Sequence, residues 1–473
     1  MILASARREI VLQWRDGRIG AVSLALAAAC LATLFMGWFS YQDYQHDYAH
    51  FTQEIRDQWV GQGRRHPHRA AHYGIYVSKP ASPLSVLEPG LAPATGQAIW
   101  LNAHDRTTYS NPPAHDDIVA YTVMSMASPA AIVTVLGGLF ALTLGALGIV
   151  REREDGVLRQ IIAQGGRGSN WALGKLAGLS CVVAAPFLPI LLLAGLFLVL
   201  TAEPSLRLDT AMRFAGFLAV NTSFLLAMLC VGLIVSCLAK TARSALLIAF
   251  SVWIAVFIIA PRGTSAWIEA VHPTIDWEAF QAKITVAFNA GYDDRPGYGD
   301  QLAALERETM AAYGVERLED LPVGFSGIRM MHMSDWSSEV SDRAYGEMRA
   351  LWNRQSRLRT LASLVFPYLA VRSASQNMAG TDWSHFRVFS EAAEGYRRNI
   401  VRQLDEVIKD ELRGEVWEMD SDASLWSRTK PFSYQSPNAF WAITQSWPAF
   451  LVVLLWAAAG VLALRHTAGR LAP

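Results

Sequence analysis

The sequence is poor in charge. Of its 473 residues only 17% are Asp, Glu, Lys or Arg, where a soluble domain carries roughly a quarter. The 41 acidic and 41 basic residues cancel, and a chain without a basic excess lacks the electrostatic footprint that nucleic acid demands. Cysteine is scarce as well. Cys30, Cys181, Cys230 and Cys237 all fall within apolar stretches, so no disulfide framework staples the polar ones, and no CxxC or Cys/His spacing suits zinc. A G-x-x-x-x-G-K-[ST] loop is missing. The stretch from Gly168 to Gly174-Lys175 comes nearest, but it is one residue too long, and Leu176 stands where the hydroxyl residue belongs. H-E-x-x-H and G-x-S-x-G are missing too. We read the chain as non-catalytic, with no cofactor of its own.

What the sequence has is apolar length. Hydrophobic residues make up 52% of it, gathered into long runs without charge. A bilayer core of about 30 Å takes roughly 20 residues of helix. Six segments qualify: Ile19 to Ser40, Pro129 to Val150, Ala172 to Leu200, Phe214 to Leu238, Ala245 to Ala260 and Ala442 to Leu464. The fifth is short and needs Arg243 to snorkel. Pro186 and Pro189 should kink the third. The first run is too long for a cleaved signal core and continues through Leu34, Phe35 and Met36, so it is expected to stay as a span.

Positive charge in the short loops sets the orientation. Arg7, Arg8, Arg15 and Arg18 precede the first span. Arg151, Arg153, Arg159 and Arg167 follow the second, Lys240 and Arg243 link the fourth and fifth, and Arg465 and Arg470 close the chain. With six spans these all lie on one side, which should be cytoplasmic, together with both termini. The long polar segments 41–128 and 262–440 then lie outside. In the first, Tyr44 to Val60 should extend span one as helix, and Tyr73 to Val77 and Ala98 to Leu101 alternate like short strands. In the second, Asp276 to Ala290, Gln301 to Tyr313, Asp335 to Arg357 and Glu391 to Leu412 carry apolar residues at helical spacing. The fold class is thus an all-α polytopic membrane protein: six transmembrane helices and a mostly α-helical extracytoplasmic domain with a few short strands.

The spans lack Asp, Glu and His, which ion-coupled carriers usually hold at mid-membrane. Asn221, Thr222 and Ser223 are the most polar group in span four. They suit interhelical hydrogen bonds, or else the lining of a translocation path. Outside, His66, His68 and His72 lie close together, and His332 sits in the run Met330-Met331-His332-Met333. Imidazole and thioether suit copper, but neighbouring residues on a helix point apart, so no metal site is expected; His66, His68 and His332 come nearest to one.

The stretch 151–171 after span two is the most informative. Glu152, Glu154 and Asp155 cap the end of a helix. A turn at Gly156 then starts a short amphipathic helix with Val157, Leu158, Ile161 and Ile162 on one side. Gly165, Gly166 and Gly168 follow, and Gly174-Lys175 leads into span three. This loop resembles that of the type-2 ABC exporter permeases: Glu152, Glu154, Gly156, Leu158, Gly174 and Lys175 match, with Val157 where threonine is frequent. The resemblance implies a coupling helix seated in a groove of an ATPase subunit, with Glu152, Glu154, Asp155, Gly156, Leu158 and Ile161 at the contact. Residues 1–18, with Leu3, Ala6, Ile10 and Trp14 on one face, look like the family's interfacial elbow helix. The large insertions, with Pro80 to Ser85, Glu88 to Leu91 and Gly96, are similar to a branch of permeases labelled for multi-copper enzyme maturation.

The resemblance implies a permease in the bacterial cytoplasmic membrane, paired with a second copy or a sister chain. ATP and Mg2+ would be held by a separate ABC ATPase, whose hydrolysis drives translocation or periplasmic work. One alternative is mechanotransmission to a periplasmic partner without transport; another is a membrane-anchored receptor or enzyme. Substrate and direction are not readable.

Overall fold

The computed structural model describes residues 2–96, 98–104, 106, 127–164 and 166–471. Gly165 of the expected glycine-rich turn and residues 107–126 of the first long segment lie outside them.

Helix α1 (Ile2–Arg15) lies at one end of the bundle. Asp16 then accepts a hydrogen bond from the Arg18 amide and starts α2 (Gly17–Val60), a single helix of 44 residues. It carries no proline, and it ends at the C-cap Gly61. After α3 (Pro67–Tyr73), strand β1 (Ile75–Ser78) pairs antiparallel with β2 (Ala98–Leu101), Ile75 opposite Leu101. Ser128 caps α4 (Pro129–Glu154), which contains a π-helical stretch at Ile132–Leu136. A carbonyl in that stretch, Val135 O, accepts from the Trp253 indole at 3.0 Å, so the widened turn leaves it paired. Gly156, at φ 75°, turns the chain into α5 (Val157–Ala163).

The third apolar run is two helices, α6 (Gly168–Ala184) and α7 (Leu188–Thr201), bent by 54° at the break. Pro186 has no amide to continue the ladder, and this is the expected kink. Next come α8 (Arg207–Leu238) and α9 (Ala242–Val271). The Thr241–Ser244 capping box begins α9, which runs past the expected end at Ala260 because Pro261 is tolerated near its π-helical stretch. Among the described residues, five helices are long and apolar enough to cross a membrane, six if the bent pair is one span.

Helix α8 is the axis of the bundle. It crosses α4 backbone to backbone: a Cβ on Gly145 would sit 2.7 Å from Leu229 O, and one on Gly232 would sit 2.4 Å from Leu142 O. Small residues at such crossings let membrane helices gain the close packing that lipid offers no hydrophobic drive for. By contrast α2, α7 and α9 turn Leu24, Phe35, Leu193, Phe197, Leu247 and Ile259 outward.

The distal end carries α10 (Trp277–Ala290), α11 (Tyr298–Tyr313), α12 (Phe325–Ser363), α13 (Pro367–Ala379), α14 (Trp383–Glu411) and α15 (Ala423–Arg428), before α16 (Ala439–Gly469) returns through the bundle. The cores at this end mix both long segments: Trp59 and Ala70 pack with Leu404 and Trp426, and Val77 and Leu101 with Phe389. The sequence reading left two features unassigned to the bundle. Leu84, Val86 and Leu87 belong to its core, with the Val86 carbonyl against Gly37 of α2. Helix α13 is wedged among α8, α12 and α16, burying Ala370, Val371, Ala374 and Met378.

Candidate functional site

At the proximal end α1 lies in a groove of α6. A Cβ on Gly174 would meet the Ser5 Cβ at 2.5 Å, and one on Gly178 would meet Ala6 O at 2.7 Å. Two glycines four apart on one helix face make the seat. The face of α1 that enters it is Ser5, Ala6 and Glu9, so Ile10 is only half-buried, and Trp14, with Leu3, is turned outward. Leu3, Trp14 and Val11 are the apolar residues that α1 leaves exposed on the side away from that seat, as an interfacial helix would.

An ion network locks this contact. The Lys175 ammonium donates to Glu9 Oε2 at 2.6 Å and lies 3.1 Å from Glu152 Oε1, and Arg8 stands 3.8 Å from the same oxygen. The side chains of Lys175, Glu9 and Glu152 are 3%, 5% and 15% exposed. Buried charges persist only when paired, so α1, α4 and α6 are held as one unit. Arg153 donates to Ala239 O at 2.7 Å and Cys237 O at 2.6 Å, satisfying carbonyls at the end of α8. Ser236 Oγ accepts from the Ile149 and Val150 amides.

Most of the residues matched to the coupling helix therefore face the bundle. Glu152 is in the network. Glu154 is exposed, yet it accepts from the Ala242 amide at the start of α9 at 3.0 Å. Leu158 is a core residue, with Ile161 and Ile162 packed against the same core. Asp155 is open to solvent, as are Arg159, Gln160, Ala163 and Gln164, the free side of α5. Spacing showed an amphipathic helix but not that its apolar side is spent internally. Glu9 was missed; its only sign was a lone carboxylate on the face of α1 that carries Ser5 and Ala6.

Midway along the bundle Asn221, Thr222 and Ser223 line an apolar groove of about 390 Å³ with Val183, Phe187 and Leu191, at the break between α6 and α7. The Asn221 amide donates to Phe217 O at 2.8 Å, and its Oδ1 is buried without a partner among the described residues. Thr222 donates to its own helix and is exposed.

Above the groove the distal segments are tied to the spans. Ser375 of α13 lies 3.5 Å from the Asn221 amide nitrogen and donates to Glu88 Oε2 at 3.3 Å. Burial raises the Glu88 carboxyl to about 7, with Arg372 and the Gly90 amide opposing. Arg213 on α8 donates to Asp209 and to Met378 O, and also reaches Pro437 O. Asp209 in turn accepts from the first amide of α16. In the sequence Glu88 stood out only as part of the Glu88 to Leu91 stretch, and Arg213 carried no sign of this role.

The histidines separate. His66 caps α3 through Nδ1 and stacks on Trp417 at 4.2 Å. His332 packs against Tyr298 in α11. His68 joins instead with His72 and His104.

A family model described as "ABC-2 family transporter protein" matches residues 19–304, more than half of the chain, and one described as "Domain of unknown function (DUF3526)" matches residues 297–435. The first takes in α2 to α10, the second most of the distal helices. No curated protein matches the chain.

Proposed function

The chain belongs to the ABC-2 transporter family, and we propose that it is the membrane-spanning subunit through which a separate ABC ATPase moves the bundle and the distal domain. The observation that carries this is the Glu9–Lys175–Glu152 network. It makes α1, the α4–α5 corner and α6 one rigid body at the end of the bundle where the loop arginines gather. A partner seated on the free side of α5 would then push α1, α4 and α6 together. The contact residues are Asp155, Arg159, Gln160 and Gln164, while Glu152, Glu154, Leu158 and Ile161 hold the pad that presents them. Two such chains, identical or sister, would pair over two ATPases that hold ATP and Mg2+. The proximal end then faces the cytoplasm and the distal domain the periplasm.

The mechanotransmission reading also has an observation in its favour. Helix α2, at 44 residues, is roughly 66 Å long, about twice the bilayer core, and its far end is built into the distal domain. The groove at Asn221 to Ser223 favours transport of an apolar or lipid-like molecule instead.

The test is purification of the chain from native membranes in mild detergent. A soluble ATPase with a complete phosphate-binding loop should come with it. The Arg159→Glu/Gln160→Glu double variant should lose that subunit while the chain stays folded. A chain that brings no ATPase, or one whose ATPase ignores the double variant, overturns this assignment.

A further inference from the structure

Residues 66–73 carry three histidines, and His68 and His72 stand four apart on α3. Side chains at that spacing share one helix face. His104 follows β2, in a turn held by its amide on Asn102 Oδ1 at 3.0 Å, and the β1–β2 pairing brings that turn back over α3. The result is convergence. His72 Nε2 lies 3.0 Å from His68 Nε2 and 3.1 Å from His104 Nε2, and one ring nitrogen from each of the three falls within 4.8 Å of the others.

Hydrogen bonding alone accounts poorly for this. Both contacts use the same nitrogen of His72. A neutral imidazole nitrogen either donates one N–H or accepts on one lone pair, so His72 Nε2 can complete only one of the two contacts well. Charging the rings is worse. Three imidazolium rings this close would repel one another, so protonation does not settle the cluster either. A cation with a vacant coordination sphere satisfies all three lone pairs together. Metal–nitrogen bonds of about 2.0–2.1 Å at tetrahedral angles put ligand nitrogens roughly 3.3–3.4 Å apart, close to the 3.0 and 3.1 Å from His72 to its two neighbours.

We propose that His68, His72 and His104 bind a divalent first-row transition-metal ion of the zinc and copper(II) class on the distal domain, with a coordination position open to solvent. Imidazole donors without thiolate or carboxylate select that class over calcium or magnesium. His72 is exposed, so the ion enters and leaves from outside, and the fourth position falls to water or an incoming ligand. The ion would join α3 to the end of β2 across the strand pair, tying down the first long segment beside α12, where Ser337 already donates to His104 O. This goes beyond the transporter reading and does not depend on it.

The full chain in detergent, stripped with chelator, is titrated with Zn2+ by calorimetry and with Co2+ by visible absorption. One equivalent of Zn2+ should bind, and Co2+ should give the intense bands of a low-coordinate site. His72→Ala and His104→Gln should each weaken Zn2+ at least 10-fold to 100-fold, while His332→Ala leaves it unchanged. Both histidines can be changed without emptying a core, and size-exclusion profiles matching wild type verify the fold. Affinity should fall as pH drops from 7.5 to 5.5, because protons compete for the rings. Wild-type binding no tighter than that of His72→Ala, or binding lost in His332→Ala and kept in the other two, overturns the assignment.

Discussion

Replacing Lys175 by methionine tests the proximal network most directly. The new side chain keeps the length and removes the charge. Glu9 then loses the cation that lies 2.6 Å away, in a place where its side chain is 5% exposed. Glu152 keeps Arg8 at 3.8 Å, and Arg8 is half exposed, so Glu152 is partly relieved. Removing one member of a buried pair costs about 3–5 kcal/mol. With Glu152 relieved, the lower end of that range applies, about 3 kcal/mol. The cost should fall on α1, because Glu9 can escape to water only by leaving the Gly174–Gly178 groove. Trypsin should therefore cut at Arg7 and Arg8 in Lys175→Met well before it cuts wild type, and the melting temperature in detergent should fall. Adding Glu9→Gln removes the stranded carboxylate and should restore much of the loss, giving a coupling of about 1–3 kcal/mol in the double-mutant cycle. A Lys175→Met chain that melts and digests like wild type, or a cycle that is simply additive, would refute the network as the strut between α1 and α6.

Two further outcomes follow from the packing and the burial. Gly178→Val places its Cβ 2.7 Å from Ala6 O and 2.8 Å from the Glu9 Cβ, so α1 should lift off at a cost of about 1–3 kcal/mol, while α6 and α8 stay in register; protease mapping of α1 against the rest of the chain reads this. Glu88, raised to about 7 from 4.5, is held protonated by the fold, so its contribution is fully present below pH 4.5 and is lost as pH rises through 7. The loss reaches about 3 kcal/mol at high pH. Glu88→Gln should therefore match wild type at pH 5 and exceed it in thermal stability at pH 8.

What was legible in the sequence was whatever the bilayer imposes. A span must be long, apolar and helical, so the runs around Leu26, Leu142, Leu191, Phe224, Ala249 and Val453 announce themselves. Pro186 marks a break because a missing amide is a local fact. What was not legible depends on facing. Helix α13 reads as a mixed stretch, with Ser375, Gln376 and Asn377 at its centre. Ser375 and Asn377 are buried where they answer polar groups elsewhere: Glu88 from the first long segment, and Ser446 of α16, which donates to Asn377. The carboxylates of 152 and 154 read as an outward acidic patch. Lys175 turns one inward, and the amide end of α9 takes up the other. His104 lies 32 residues from His72, and only the β1–β2 register brings them together.

The choice between transport and transmission turns on whether α2 acts as a lever. Its start is tied to α1 through the short turn at Asp16, and α1 is fixed to α6. Its far end is fixed as firmly: the Trp59 indole donates to Thr429 Oγ1 at 2.7 Å, its ring meets Trp426 edge-on at 6.1 Å, and Arg56 donates to Thr429 O at 2.7 Å. Between these ends Tyr44 OH donates to Lys79 O, so the shaft is also guided where it leaves the bundle. A stiff helix held at both ends passes a tilt of α1 to the distal domain without any opening of the groove at Asn221. Replacing Tyr48 and Ala49 with Gly-Pro breaks the shaft above that guide, since proline in a helix interior costs about 3 kcal/mol and bends it. In a cysteine-free background, spin labels at the exposed Arg15→Cys on α1 and at Arg428→Cys report the distance from the proximal unit to the distal domain. With the ATPase bound, ATP should shift that distance in the intact chain and leave it unshifted in the broken one, while ATP hydrolysis continues in both. An equal shift in both chains would remove the lever and leave the groove beside Asn221 as the place where ATP-driven movement is spent.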